Sequence, residues 1–220
     1  MKKLTIAAVT AVFLATGTTS AFAETSANVA VTTDYVFRGI SQTDGAPAIQ
    51  GGIDYEHQSG FAAGVWASSV DDTVGDAGLE IDLYASYSGV AGESGEYGYS
   101  VGFINYRYPG GDTGTDVDVS EFFIGGTYRN LGLTYYIGDS DLDADYLEFT
   151  ANFDLGRGVI VGTGIGHTFD DNAEDFTDFK ISIATQLEGL DVELAYTDNT
   201  LDNPTPTQDS RAFLTVSKTM

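Results

Sequence analysis

Leu79-Glu80-Ile81-Asp82-Leu83-Tyr84-Ala85-Ser86-Tyr87-Ser88 is the stretch whose reading decides the fold. Leu79, Ile81, Leu83, Ala85 and Tyr87 fall on one side. Glu80, Asp82, Tyr84, Ser86 and Ser88 fall on the other, a period of two that a strand satisfies and a helix does not.

The same period recurs in both directions. Strand one is predicted from Ala27 to Phe37, with Ala27, Val29, Val31, Thr33, Tyr35 and Phe37 against Asn28, Thr32, Asp34 and Arg38. Strands two and three follow at Ile49–Tyr55 and Phe61–Ser68, the stretch just quoted is the fourth, and the fifth begins at Tyr97. Strand six covers Val117–Tyr128, where Phe122-Phe123-Ile124 interrupts the alternation and suggests a bulge. Strands seven to twelve are Leu131–Ile137, Tyr146–Leu155, Val159–His167, Phe179–Leu187, Leu190–Tyr196 and Arg211–Lys218.

The connections separate the possible architectures. Five are brief: Ser59-Gly60, Val90–Glu96, Arg129-Asn130, Gly156-Arg157 and Glu188-Gly189. Their counterparts, Gly39–Ala46, Asp71–Gly78, Pro109–Asp116, Gly138–Asp145, Phe169–Asp175 and Asp198–Gln208, are longer and rich in Asp. A Greek-key sandwich has no reason to alternate short and long connections. An up-and-down barrel in an outer membrane does, because its periplasmic turns are short and its external loops long. The expected fold is therefore all-β, a 12-stranded antiparallel up-and-down transmembrane β-barrel with long acidic external loops and its apolar face towards lipid. An even strand count lets strand one close on strand twelve, and closure removes edges that lipid would not tolerate.

Residues 1–23 read as a cleaved Sec-type signal peptide: Lys2 and Lys3 lead, Leu4–Ala15 is apolar, and Ala21-Phe22-Ala23 is an A-x-A cleavage signal. Residues 24–220 then form a single barrel domain. Removing the two signal lysines leaves 7 basic against 33 acidic residues, a net charge of −26. That surface excludes nucleic acid as a partner. The chain has no cysteine, 27 glycines, and 13 each of Tyr and Phe, which suits strands and tight turns. No apolar run of about 18 residues follows the signal, but a membrane strand needs only about 9 to 11 residues with one apolar face.

Within this frame the first hairpin can be compared with known families. Tyr35-Val36-Phe37-Arg38-Gly39-Ile40-Ser41-Gln42-Thr43, Pro47-Ala48-Ile49-Gln50-Gly51-Gly52-Ile53-Asp54-Tyr55, Ser59-Gly60-Phe61 and Gly64-Val65-Trp66-Ala67-Ser68 resemble the opening signature of the TorF family of porins. Glu80-Ile81-Asp82-Leu83-Tyr84 and Val216-Ser217-Lys218-Thr219 resemble it too. The resemblance covers the mature chain and implies a Gram-negative outer-membrane barrel that forms a pore, with no substrate specified. Such barrels usually end in an aromatic residue that the barrel assembly machinery reads, whereas this chain ends in Met220.

The phase opposite the apolar one nominates a lumen lined by Arg38, Asp54, Glu56, Trp66, Glu80, Asp82, Tyr84, Tyr136, Glu148, Asp154, Lys180, Asp191, Glu193 and Arg211. Eight carboxylates against three bases suggest a passive channel for small hydrophilic solutes or cations, weakly cation-selective, needing no cofactor. The alternative is a closed structural or surface-binding barrel, with Arg38, Lys180 and Arg211 paired to carboxylates across the bore. Arg38 is expected to clamp Asp54 or Glu56 on the next strand. Asp139, Asp141, Asp143 and Asp145 resemble a calcium loop, but Ala144 and Thr150 stand where an EF-hand needs Gly and Glu, so a solvated acidic loop is expected. Such loops could hold divalent ions against lipopolysaccharide at the lipid surface. Of the two histidines, His167 is followed by Thr168-Phe169 and lacks the serine two residues on that an outer-membrane phospholipase needs, so a barrel-scaffolded enzyme is the poorest reading.

Overall fold

The computed structural model describes residues 23–72, 74, 77–92, 95–109, 117–139, 142 and 144–220. The expected signal peptide up to residue 22, and Asp141 and Asp143 of the acidic loop, lie outside the described residues.

Twelve long strands close into a single barrel in which each is antiparallel to both neighbours. They are β1 (Glu24–Thr32), β4 (Ala48–Glu56), β5 (Phe61–Ser69), β6 (Leu79–Ala91), β7 (Tyr97–Tyr108), β8 (Val117–Tyr128), β9 (Leu131–Gly138), β10 (Ala144–Asp154), β11 (Val159–Asp170), β12 (Phe176–Leu187), β13 (Leu190–Asn199) and β14 (Arg211–Thr219). Two short strands, β2 (Val36–Phe37) and β3 (Ile40–Ser41), pair only with each other. The ring closes where β1 pairs with β14, from Asn28↔Thr219 to Thr32↔Thr215. Beyond that ladder, Ala27 and Met220 exchange both backbone hydrogen bonds.

The expected rhythm of connections is present. Tight turns at 57–60, 129–130, 155–158 and 188–189 alternate with longer loops, and Glu188 and Gly189 both take the positive φ of a two-residue hairpin turn.

The apolar face points outward. Val31, Ile49, Ile53, Val90, Phe122, Ile124, Leu133, Ile181 and Leu194 are exposed, while Glu80, Asp82 and Glu121 are fully buried. That inversion of a soluble protein is what a strand needs when lipid lies outside and polar groups can be satisfied only within. Tyr55, Phe61, Tyr87, Tyr97, Tyr99, Tyr128 and Phe153 gather outside the short-turn end, where Tyr97 stacks on Tyr128 at 5.0 Å. Aromatic girdles of this kind mark a membrane interface.

Two local expectations are corrected. The Phe122-Phe123-Ile124 run contains no bulge, since β7 and β8 pair without an inserted residue from Tyr108↔Val117 to Tyr97↔Tyr128. Phe123 simply turns inward against Tyr136, at 5.8 Å between rings. Strand one stops at Thr32 rather than Phe37, and the chain then leaves the wall.

Candidate channel constriction

The segment from Thr33 to Pro47, expected to continue strand one and then form an external loop, is folded inside the barrel. Its root is tied by Asp34. That buried carboxylate accepts from Ser41 Oγ at 2.5 Å and Thr43 Oγ1 at 3.0 Å, and it pairs with Arg211 of β14 at 2.8 Å. Gln42 N–H donates to the Tyr35 carbonyl at 2.7 Å, so the segment returns on itself.

Beyond the root, Val36↔Ser41 and Phe37↔Ile40 form the β2–β3 ribbon, with Arg38 (φ 44°) and Gly39 (φ 76°) at its tip. Positive φ at both central residues is the two-residue turn that suits strand twist, and Gly supplies it without strain.

The tip reaches the far wall. Arg38 donates from both amino groups to Glu121 of β8, at 2.8 and 2.9 Å. Counting around the ring, β8 lies five strands from β1 through β4 and seven through β14. The reach is therefore almost diametral. On another side, the Asn199 side chain of β13 donates to the Gly39 carbonyl at 3.0 Å, and a Cβ at Gly39 would meet the Asp178 Cβ of β12 at 2.8 Å. Tyr35 meets Trp66 of β5 edge-on at 5.4 Å. Contacts to strands on every side can be made only from within, which fixes the interior phase.

The Arg38 guanidinium is held on three counts. Its bond to Glu121 is bidentate, and the Tyr106 hydroxyl donates to the same carboxylate at 2.8 Å. The rings of Tyr146, Phe37 and Tyr136 lie 4.0, 4.6 and 5.1 Å from its carbon. Burial is the largest single effect and opposes its charge, but Glu121 together with Tyr106 and Tyr146 outweighs it and raises the guanidinium pKa, so this partner stays charged at any physiological pH. Around the ribbon, Tyr35 and Phe37 pack with Trp66, Val70, Ala77, Ile104, Tyr106, Tyr108 and Val119. Burying an aromatic side chain of this size stabilises by about 1.5 to 3 kcal/mol. The loop is thus held by its own core.

The fourteen residues nominated from sequence divide into two groups. Arg38, Trp66, Glu80, Asp82, Tyr136 and Arg211 meet or surround the inserted loop, and Glu148 stands beside Tyr146 on the same interior phase of β10. Nearer the short turns, Asp54 of β4 accepts from the Tyr84 hydroxyl of β6 and from Asn28 Nδ2 at 3.3 Å. Lys180 pairs with Glu193 at 3.2 Å and Asp191 accepts from Gln186 at 3.2 Å. Asp154 caps its turn through Gly156 N–H at 2.7 Å, and Glu56 is exposed.

Arg38 does not clamp Asp54 or Glu56. Its partner is Glu121, 83 residues away. Sequence reasoning also missed Asp34, Tyr106, Asp178 and Asn199. The signal for the ribbon was available: Phe37-Arg38-Gly39-Ile40 is an x-Gly pair between strand-forming residues. His57 lies in a tight turn bonded to Ser59, and His167 packs on Phe169 while bonded to Thr177.

With this geometry in hand, comparison with known proteins adds a family. Residues 15–220 match the family model described as a bacterial protein of unknown function, Gcw_chp. The chain belongs to that family. No curated protein matches this Gcw_chp sequence. Its fold is similar to that of solved porins. One is the KdgM porin, at 9% identity and a TM-score of 0.60, covering 88% of this chain and 98% of that one. A KdgM porin in complex with disordered oligogalacturonate gives 9% identity, a TM-score of 0.61 and the same coverage. The NanC porin gives 8% and 0.53, again covering 88% and 98%. These likenesses establish the shared closed 12-stranded barrel.

Proposed function

We propose that this barrel is a passive outer-membrane channel for small hydrophilic solutes, with a weak preference for cations, and that its first loop forms the constriction. The observation that carries the reading is the inserted Thr33–Pro47 segment, anchored to opposite walls by Asp34–Arg211 and Arg38–Glu121. A barrel built only as a scaffold has no need of a loop shaped to its bore. The porin-like fold and the resemblance of the first hairpin to the TorF porins support the same reading.

Selectivity follows from the charge left over. Within the nominated lumen set, Arg38, Lys180 and Arg211 are each paired with an acid, whereas Glu56, Asp154 and Asp191 have no basic partner among the described ion pairs. Carboxylates at a mouth favour cations. A polyanion such as the oligogalacturonate found with a KdgM porin would be repelled here. Export by a cleaved Sec-type signal, insertion by the barrel assembly machinery, and contact of the acidic external loops with lipopolysaccharide through divalent ions complete the proposal.

One observation favours the closed alternative. The ribbon tip touches β8 on one side and β12 and β13 on another. Single-channel recording of refolded mature protein in a salt gradient separates the readings. Discrete steps with a cation-directed reversal potential are expected; silence in the wild type, with steps after the ribbon is deleted, would establish the closed barrel.

A further inference from the structure

The seam between the inserted loop and β6 holds two acids that no base accompanies. Glu80 and Asp82, neighbours on the interior phase of β6, are each 0% exposed. The Tyr108 hydroxyl donates to Glu80 Oε1 at 3.2 Å, but Glu80 Oε2 and both Asp82 carboxylate oxygens have no hydrogen-bond partner. Among the described residues the nearby bases are committed elsewhere: both Arg38 amino groups go to Glu121, and Arg211 goes to Asp34. Arg38 therefore cancels Glu121. No base is left for the pair.

The loop brings further oxygens to the same seam. Tyr35 is 6% exposed and Gln42 0%, and neither the Tyr35 hydroxyl nor Gln42 Oε1 has a partner. Tyr35 packs edge-on against Trp66, the cross-strand partner of Asp82, and shares a cluster with Tyr108, the donor to Glu80, which brings the Tyr35 ring to the side of the acids. Gln42 is joined to Tyr35 through the backbone bond at 2.7 Å, and its amide N–H is spent on the Ile40 carbonyl. Its oxygen is left over.

Buried carboxylates without compensation are costly, and the orphaned atoms of this seam are oxygens, the ligands of hard cations. Among the described residues no group of three His, Cys, Asp or Glu side chains could hold a metal, so any ligand set here is two carboxylates completed by neutral oxygens. We propose that Glu80 and Asp82, with the Tyr35 hydroxyl and the Gln42 amide oxygen, hold a divalent cation of the calcium class that fastens the first loop to β6. The two charges of the ion cancel those of the pair. Calcium accepts carboxylate and amide oxygens in flexible geometry, which suits ligands drawn from a strand and a loop. The site stands whether or not the barrel conducts.

Terbium, a luminescent ion of the calcium class, provides the test, because Trp66 is the only tryptophan and its ring is 5.4 Å from that of Tyr35. Refolded mature barrel in detergent should give saturable luminescence on excitation of Trp66 and Tyr35, displaced by calcium. E80Q/D82N should lose the signal, and D170N/D171N in an external loop should keep it. Calcium at about one hundred times its dissociation constant should raise the temperature at which the folded band is lost by about 5 to 10 °C in wild type, and not in E80Q/D82N. Should the double variant fail to fold, D82N alone should weaken terbium binding at least about tenfold by the loss of one charged ligand. The proposal is overturned if wild type takes up no ion, which would leave the pair to share protons. It is equally overturned if binding survives E80Q/D82N, if D82N leaves affinity unchanged, or if the signal vanishes in D170N/D171N.

Discussion

Towards the long loops the interior face carries Trp66, Ile104, Tyr106 and Tyr108, packed on Tyr35 and Phe37 of the inserted segment. Towards the short turns the same strands carry Gly64 on β5, Gly98, Ser100 and Gly102 on β7, and Gly125 and Thr127 on β8. One half of the bore is a protein core, with buried rings and a bidentate ion pair. The other carries small and polar side chains, with the Tyr84 and Phe123 rings lying over Gly64 and Gly102 and acids at its rim. The aromatic residues of the first half thus pack on the loop, and under the proposed channel reading ion preference falls to the acids of the second.

Substitutions can break or sharpen that contrast. The largest effect is expected at the loop latch. Arg38→Ala leaves Glu121 buried and unpaired, which costs about 3 to 5 kcal/mol of loop docking. Protease should then cut the first loop, and conductance should rise several-fold while the barrel still migrates as a folded band. Unchanged cleavage and conductance would show that the two halves do not differ as described.

Next comes the outer wall, used as a control. Phe122→Arg places a charge near the middle of β8 on the lipid side, where it should cost about 2 to 4 kcal/mol. Its unfolding midpoint in urea should fall while conductance stays at the wild-type value. Gly39→Ala should act like Arg38→Ala but more weakly, by about 1 to 3 kcal/mol, because the backbone stands at φ 76° and the new Cβ would meet Asp178 Cβ at 2.8 Å. Limited proteolysis ranks the two variants.

The smallest effect on stability is expected in the open half. Asp154→Asn with Asp191→Asn should change stability by no more than about 0.5 kcal/mol, since both residues are exposed. The reversal potential should nonetheless move towards zero. A stability loss without any change in selectivity would place the selectivity acids elsewhere.

Much of this architecture was legible in the sequence, for a physical reason. Strands with lipid on one side and polar groups on the other must alternate, so β6, β10 and β13 could be read residue by residue, and the loop rhythm gave the even count. The same rule misled at strand one. Tyr35 and Phe37 continue the alternation of Val29 and Val31, yet they are apolar because they face the loop's core. In β8 the run of apolar residues hid the interior phase of Glu121, since Phe123 is an interior ring between the lipid-facing Phe122 and Ile124. The Arg38–Glu121 pair spans 83 residues, and no local pattern encodes a partner at that separation. Asp178 was missed because strand ten was begun three residues late, at Phe179 rather than Phe176, although Lys180 and Ser182 already set its phase.

The inserted ribbon is the part of the molecule whose removal is most telling. Replacing Val36–Ser41 with a short Gly-Ser link and recording single channels beside wild type tests it. Small cation-preferring steps in wild type, rising several-fold in the replacement with the same direction of selectivity, are the predicted result. Equal conductance in the two proteins would contradict the claim that the first loop is the constriction.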